Sequence, residues 1–228
     1  MHHPEPRFSR IAALMADPTR ARMLAALLGG EYRSAGELAR SAGITPQAAS
    51  SQLARLVDNA LVIVRQQGRH KYFALADADV AHALEALAMV AERDDVSARW
   101  SKPDYQPLKC ARRCYGHLAG ELGVAQFEML MRCNYLASGD QGLQLTQTGL
   151  AWVAQLGVTL PKKSDTRWAY PCMDWSERRD HLAGALPKAL LEHYISQQWL
   201  CAQPDSRALR LTIKGKKMLA PLLQLQKN

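Results

Sequence analysis

The sequence predicts a mainly α-helical protein with small β-hairpins, arranged as two domains. Three observations carry this expectation. Apolar residues recur at helical spacing between cap and stop signals through the first ninety or so residues. Two β-rich runs flank a turn around Gly68-Arg69. A block beginning His117-Leu118-Ala119-Gly120 recurs later as His181-Leu182-Ala183-Gly184. The chain has 228 residues, 48% hydrophobic and 22% charged, which suits a folded protein with a sizeable core and excludes wholesale disorder. No apolar run approaches the ~18 residues of a membrane span. Met1-His2-His3-Pro4-Glu5-Pro6 lacks the apolar stretch of a signal peptide. Five cysteines without a secretory signal read as free thiols in a cytoplasmic protein rather than a disulfide framework.

In order along the chain, Phe8–Ala16 reads as a short helix, and Asp17-Pro18-Thr19 caps a second one through Leu28, stopped by Gly29-Gly30. Ser34-Ala35-Gly36-Glu37 is a capping box that opens a short helix ended by Gly43. Thr45-Pro46 pairs a cap with proline at the first helical position and starts a helix to about Asn59. Leu61–Arg65 and Lys71–Leu75 form a hairpin, and Asp77/Asp79 open a long helix to about Glu92. Residues 1–95 are therefore expected to be one domain, 96–108 a linker, and 109–228 a second domain.

Two helices joined by the tight Gly43-Ile44 turn have helix-turn-helix proportions, with Thr45–Asn59 as the reading helix. Ala49, Leu53 and Leu56 share its inward face; Gln47, Ser51 and Arg55 lie opposite. Gln47 suits a base edge and Arg55 a guanine or phosphate, while small Ala48 and Ser51 permit close approach. Arg69 and Lys71 at the hairpin tip, with Arg65 nearby, suit a wing against the DNA backbone. A solvated helix face and an ordinary hairpin tip would explain each residue singly; capped helix, turn, polar face and basic hairpin in this order point to DNA.

The segments Ala13-Leu14-Met15-Ala16-Asp17-Pro18-Thr19-Arg20 and Ile44-Thr45-Pro46-Gln47-Ala48-Ala49-Ser50-Ser51-Gln52-Leu53, followed by Gly68-Arg69 ahead of Tyr72-Phe73, resemble the arsenic-repressor (ArsR/SmtB) family over residues 8–92. The resemblance implies a homodimeric winged-helix repressor that releases a double-stranded DNA operator when an effector binds. It implies dimerisation through the helix Asp79–Glu92 and the first helix. It places Gln47, Ser50, Ser51 and Gln52 in the major groove; Gln52 stands where the family often has histidine. The family's best-known metal sites have no counterpart: Glu37-Leu38-Ala39-Arg40 carries no cysteine, and the helix after Asp79 has His82 without a later His-x-x-Glu.

The second domain reads as two similar winged-helix-like halves, each running helix, helix, short strand ending in Leu-Thr, helix. Leu143-Gln144-Leu145-Thr146 with Gly149 matches Leu209-Arg210-Leu211-Thr212 with Gly215. Cys114-Tyr115-x-His117 and Cys172-x-Asp174-Trp175 resemble segments of the family's longer members. Cys110, Cys114 and His117 fall at i, i+4 and i+7, so a helix would align them on one face with Glu121 a turn further on. Such a set suits a thiophilic metal or metalloid ion, or an electrophile or oxidant; packing thiols and a locally bonded histidine would explain it equally. Cys172 lies in the aromatic stretch Trp168–Trp175, where a loop over a pocket and plain core packing both remain open. No P-loop, dinucleotide turn, Gly-x-Ser-x-Gly or His-Glu-x-x-His is present, which argues against an enzyme. Asp174, Glu177 and His181 are the only local acid–base candidates, and Asp174-x-x-Glu177 reads as helix-capping chemistry.

The sequence thus points to a regulator with a metal, oxidant or small-molecule effector. An effector-independent DNA-binding protein with a scaffold repeat is the alternative, and an enzyme the third reading. The net charge of +8 is unevenly spread. Residues 1–95 hold 11 Lys/Arg and 11 Asp/Glu, and the remainder 18 and 10, so DNA contact in the first domain rests on local basic residues rather than on overall charge.

Overall fold

The computed structural model describes residues 8–91, 105–139, 142–162 and 167–220. The chain divides into two units, Met1–Leu84 and Glu85–Asn228.

The first unit runs α1 (Phe8–Met15), α2 (Pro18–Leu27), β1 (Arg33–Ser34), α3 (Ala35–Ala42), α4 (Pro46–Asp58), β2 (Val62–Gln67) and β3 (His70–Leu75), then enters α5 (Ala78–Ala91). The expected caps are formed. Asp17 accepts from the Thr19 and Arg20 N–H groups at 3.0 and 2.9 Å. Ser34 and Glu37 bond reciprocally, with Ser34 N–H donating to Glu37 Oε2 at 2.7 Å and Glu37 N–H to Ser34 Oγ at 3.3 Å. Gly43 ends α3 in the left-handed region at φ 69°, and Thr45 caps α4 through the Ala48 N–H at 3.2 Å. Met23, Leu24, Leu27, Leu38, Ala49, Leu53 and Leu56 form the core on which α2, α3 and α4 pack. β1, β3 and β2 make an antiparallel sheet whose β2–β3 hairpin pairs Gln67 with His70 around Gly68-Arg69.

The sequence-expected boundary near residue 95 falls outside the described residues; the division instead lies inside α5. Glu85, the first residue of the second unit, is buried and accepts from Arg207 Nη1 at 2.6 Å. Residues 96–104 of the expected linker are likewise outside the described residues, and 106–110 are helical.

In the second unit, α6 (Gln106–Cys110) leads into β4 (Arg112–Cys114), β5 (His117–Ala119), α7 (Glu121–Arg132), β6 (Leu136–Gly139), β7 (Gly142–Leu145) and α8 (Gln147–Leu156). Then follow β8 (Tyr170–Met173), β9 (Asp180–Ala183), α9 (Ala185–Ser196), β10 (Leu200–Ala202), β11 (Leu209–Leu211) and α10 (Ile213–Met218). Each half thus runs hairpin, helix, hairpin, helix, with every hairpin antiparallel. This corrects the expected helix, helix, strand, helix: the His-Leu-Ala segments are strands and precede the helices. The local contacts agree in detail. Thr146 and Thr212 cap α8 and α10 through the Gly149 and Gly215 N–H groups at 3.0 and 2.9 Å. Their own N–H groups both donate at 3.1 Å, to the Tyr135 and Trp199 carbonyls. Gly120 and Gly184 turn the first hairpin of each half into its helix at φ 80° and 112°. A Cβ on Gly184 would meet the Arg167 and Trp168 carbonyl oxygens at 2.6 Å, and one on Gly120 would meet that of Lys109.

Candidate functional site

On α4, Ala49, Leu53 and Leu56 are fully buried, so the opposite face is turned to solvent. Gln47, Ser50, Ser51 and Arg55 are all exposed, as expected for a reading face. Pro46 at the first turn leaves α4 with its positive dipole end open. Ser50 Oγ donates back to the Pro46 carbonyl at 3.0 Å, which makes it a backbone-braced side chain. Gln52 differs from the other four: it is half-buried, and its Oε1 accepts from Arg20 Nη1 at 2.9 Å. Arg20, only 7% exposed, also donates to the Leu14 and Ala13 carbonyls at 2.8 and 3.0 Å. It ties the α1–α2 corner to the reading helix, a role the sequence reading did not give it. Arg69 and Lys71 are exposed at the β2–β3 tip, with Arg65 exposed on β2.

The thiol residues are arranged otherwise than on a helix face. The helix that holds Cys110 ends there: Ala111 is extended at φ −156° and ψ 132°. The two-residue Tyr115-Gly116 turn has positive φ at both positions, 48° and 89°, the requirement of a type I′ hairpin turn. Cys114 and His117 are therefore cross-strand partners on β4–β5. Cys110 is exposed and outside their cluster; its thiol pKa is raised by burial of part of its surroundings and by Glu121.

The second hairpin supplies the missing half. Cys172 and His181 are cross-strand partners on β8–β9, as Cys114 and His117 are on β4–β5. The four side chains converge, all buried, with their nitrogen and sulfur atoms within 4.8 Å of one another. The imidazoles of His117 and His181 lie 5.1 Å apart between centroids, inclined by 40°. His181 was absent from the expected set. The signal that could have found it is the repeat, which returns the same histidine ahead of Leu-Ala-Gly, with a cysteine earlier in each block.

Asp174 is the polar hub beside the cluster, not the start of a helix. Its Oδ1 accepts from Arg112 Nη2 at 2.7 Å, Ser176 Oγ at 2.7 Å and Ser176 N–H at 3.0 Å. Its Oδ2 accepts from the Gly120 N–H at 2.7 Å and lies 3.2 Å from His181 Nδ1. Burial works to raise the Asp174 pKa; the His181 hydrogen bond and the Arg112 charge overcome it and hold the carboxyl well below its ordinary value. For His181, burial works downward, but Asp174 and then Cys114 outweigh it and push the imidazole up to about 9. The Cys114 thiol is raised by its contact with Cys172 and then by burial. Arg112 is fully buried, 4.5 Å above the Trp175 ring.

Elsewhere in this unit a cavity of about 260 Å³ is lined by Met129, Tyr135, Trp152, Tyr194, Trp199 and Leu219, with Arg132 at its edge. Tyr135 stacks on Trp152 and Tyr194 on Trp199, at 5.2 and 5.3 Å. Trp199 is 5% exposed, and among the described residues its buried Nε1 has no hydrogen-bond partner. Among the described residues no helix is long and apolar enough to cross a membrane.

Residues 15–65 match a family model described as a helix-turn-helix domain. Over 213 residues, 92% of this chain and 94% of the relative, the sequence is 37% identical to YdfF of Bacillus subtilis, named an uncharacterized HTH-type transcriptional regulator. Over 86 residues, 38% of this chain and 72% of the relative, it is 40% identical to the HTH-type transcriptional regulator CmtR of Mycobacterium bovis. Among solved structures, the homodimeric winged helix-turn-helix DNA-binding domain of Mb0332 from M. bovis is 28% identical, covering 37% of this chain and 78% of that one, with a TM-score of 0.35. The cadmium metal-sensor CMTR from Mycobacterium tuberculosis is 38% identical, covering 36% and 85%, with a TM-score of 0.32.

Proposed function

Since the chain belongs to the ArsR-type family of winged helix-turn-helix transcriptional regulators, we propose that it is a homodimeric repressor that binds an inverted-repeat operator and releases it when an effector enters its C-terminal unit. The observation that carries the DNA half is the separation of faces on α4. Ala49, Leu53 and Leu56 are fully buried, while Gln47, Ser50, Ser51 and Arg55 stand in solvent behind a capped N-terminus. Gln47, Ser50 and Ser51 read base edges, Arg55 takes guanine or phosphate, and Arg69 and Lys71 hold the flanking backbone. Gln52 keeps both donors of its amide nitrogen for a base edge while Arg20 engages its carbonyl oxygen.

Two helices support the dimer. α1 has the sequence Phe-Ser-Arg-Ile-Ala-Ala-Leu-Met yet buries none of its residues, and α5 exposes Leu87 and Val90 by 50% and 53%. Apolar helix faces of this kind are normally covered by a partner, and a second copy of the same surface satisfies them with two-fold symmetry. Of the effector classes open to the sequence, a small, mostly apolar molecule is favoured by the aromatic cavity, where the unpaired Trp199 Nε1 offers one donor.

The test is selection of duplexes from a random pool by the purified full chain. Enrichment of an inverted repeat, bound as a dimer, is expected. Retention of all sequences alike, or of none, would overturn the reading. For the effector, thermal melts with a panel of small apolar molecules should find ligands that raise Tm in the full chain and not in Trp199→Phe.

A further inference from the structure

We propose that Cys114, His117, Cys172 and His181 form a closed four-coordinate site for a zinc-class ion that clamps the two hairpins of the C-terminal unit together. The residues come as two equivalent cross-strand pairs, Cys114 with His117 and Cys172 with His181. Each hairpin thus offers one sulfur and one nitrogen, the donor set of tetrahedral S2N2 sites. Zinc–sulfur and zinc–nitrogen bonds of about 2.3 and 2.0–2.1 Å place tetrahedral ligand atoms about 3.3–3.8 Å apart. The four atoms already lie within 4.8 Å of one another. Side-chain rotations of under about 1 Å close them on an ion, with the backbone pairing kept.

Burial and charge agree with this assignment. Cys114, His117, Cys172 and His181 are 1%, 1%, 6% and 0% exposed, so the site has no open position for water or substrate. That is the character of a structural rather than a catalytic zinc centre. Two thiolates balance a divalent cation, so the occupied centre is neutral, as an apolar interior requires. On binding, the Cys114 and Cys172 thiols each lose a proton to solvent, His181 gives up the proton that makes it an imidazolium, and both imidazoles bind as neutral ligands. Asp174 Oδ2, 3.2 Å from His181 Nδ1, accepts the hydrogen bond of that nitrogen's N–H and leaves Nε2 as the ligating atom. The carboxylate is itself fixed by Arg112 and by the Gly120 N–H of the other half. Asp174 is thus a positioning residue shared by both halves. The ion would be a cross-link between segments some sixty residues apart; the small Ala119 and Ala183 and the partly buried Tyr170 are the hydrophobic side chains packed with its two cysteines.

The full-length chain, purified reduced, stripped of metal by a strong chelator and checked for folding by circular dichroism, is titrated with Zn(II) and then Co(II). About one ion per chain is expected by elemental analysis after dialysis, with the ligand-field bands of tetrahedral Co(II) and a thiolate charge-transfer band. Zn(II) at ~100 times its Kd should raise Tm by roughly 5–10 °C. Cys114→Ser/Cys172→Ser should lose the ion and the Tm gain, whereas Cys110→Ser/Cys133→Ser should keep both. Three results would overturn the site: no uptake by the folded wild type, octahedral Co(II) spectra, or a mass deficit of two hydrogens in the freshly isolated protein showing a Cys114–Cys172 disulfide. Operator binding measured on the same samples separates this proposal from the DNA reading, since either can fail while the other holds.

Discussion

Removing Arg69 should change the salt dependence of DNA binding by an amount that can be worked out in advance. Arg69 is exposed at the β2–β3 turn; its Nε makes a 3.4 Å contact with His70 Nε2. A homodimer presents two such turns, so Arg69→Ala removes two phosphate contacts per complex. Each neutralised phosphate contributes about 0.9 to the slope of log affinity against log salt, so the variant's slope should be shallower by about 1.8. Extrapolated from a 1 M reference, that slope is a loss of roughly 30-fold, about 2 kcal/mol, near 0.15 M salt. Fluorescence anisotropy with a selected operator duplex across a salt series measures both quantities. The loss should be nearly equal on operator and on unrelated duplex, because phosphates carry no sequence information. A slope identical to wild type would refute placement of the hairpin against the backbone. A loss confined to one sequence would show base contact instead.

Other outcomes follow from the same arrangement. Gln47→Ala should change which bases are selected, costing roughly 1–3 kcal/mol on the preferred site while leaving the salt slope unchanged, as read by repeating the selection. Ser34→Ala should cost about 1 kcal/mol in urea unfolding by removing one side of the α3 capping box. It should also alter the acid limb of stability. Glu37 is held below its ordinary pKa of 4.5, first by the Ser34 hydroxyl and then by the Ser34 N–H. Its contribution is therefore present above 4.5 and fades as pH falls through the lowered folded value; the variant should show a smaller loss over that window. Leu87→Glu/Val90→Glu places charge on the exposed apolar face of α5 and should shift the protein towards monomer in sedimentation, with loss of tight operator binding.

The first unit was legible because its signals are local. Asp17, Ser34, Gly43 and Thr45 act within four residues of themselves, and each cap appears where the sequence placed it. The inward stripe of α4 follows from helical period alone. Arg20 was not legible: its partners Leu14, Ala13 and Gln52 are spread over more than thirty residues, and nothing in the order of residues announces that an arginine will be buried among carbonyls. The second unit misled for a different reason. Cys110, Cys114 and His117 have helical spacing, but strands of three residues leave no period-two pattern to contradict it. The deciding feature was Tyr115-Gly116, a two-residue turn with a non-glycine residue at positive φ. The partners of Cys114 and His117 are brought in by folding from the second block. Only the repeated His-Leu-Ala-Gly hinted at them.

Hydrogen exchange of the full chain with and without its selected operator duplex checks most directly whether the winged helix is what holds the DNA. Slowed exchange should appear along α4 from Pro46 to about Arg55 and across the Gly68-Arg69 turn, with α2 unchanged on its buried face. Protection confined to residues 105–220, with α4 and the β2–β3 turn exchanging as in the free protein, would contradict DNA reading by the winged helix.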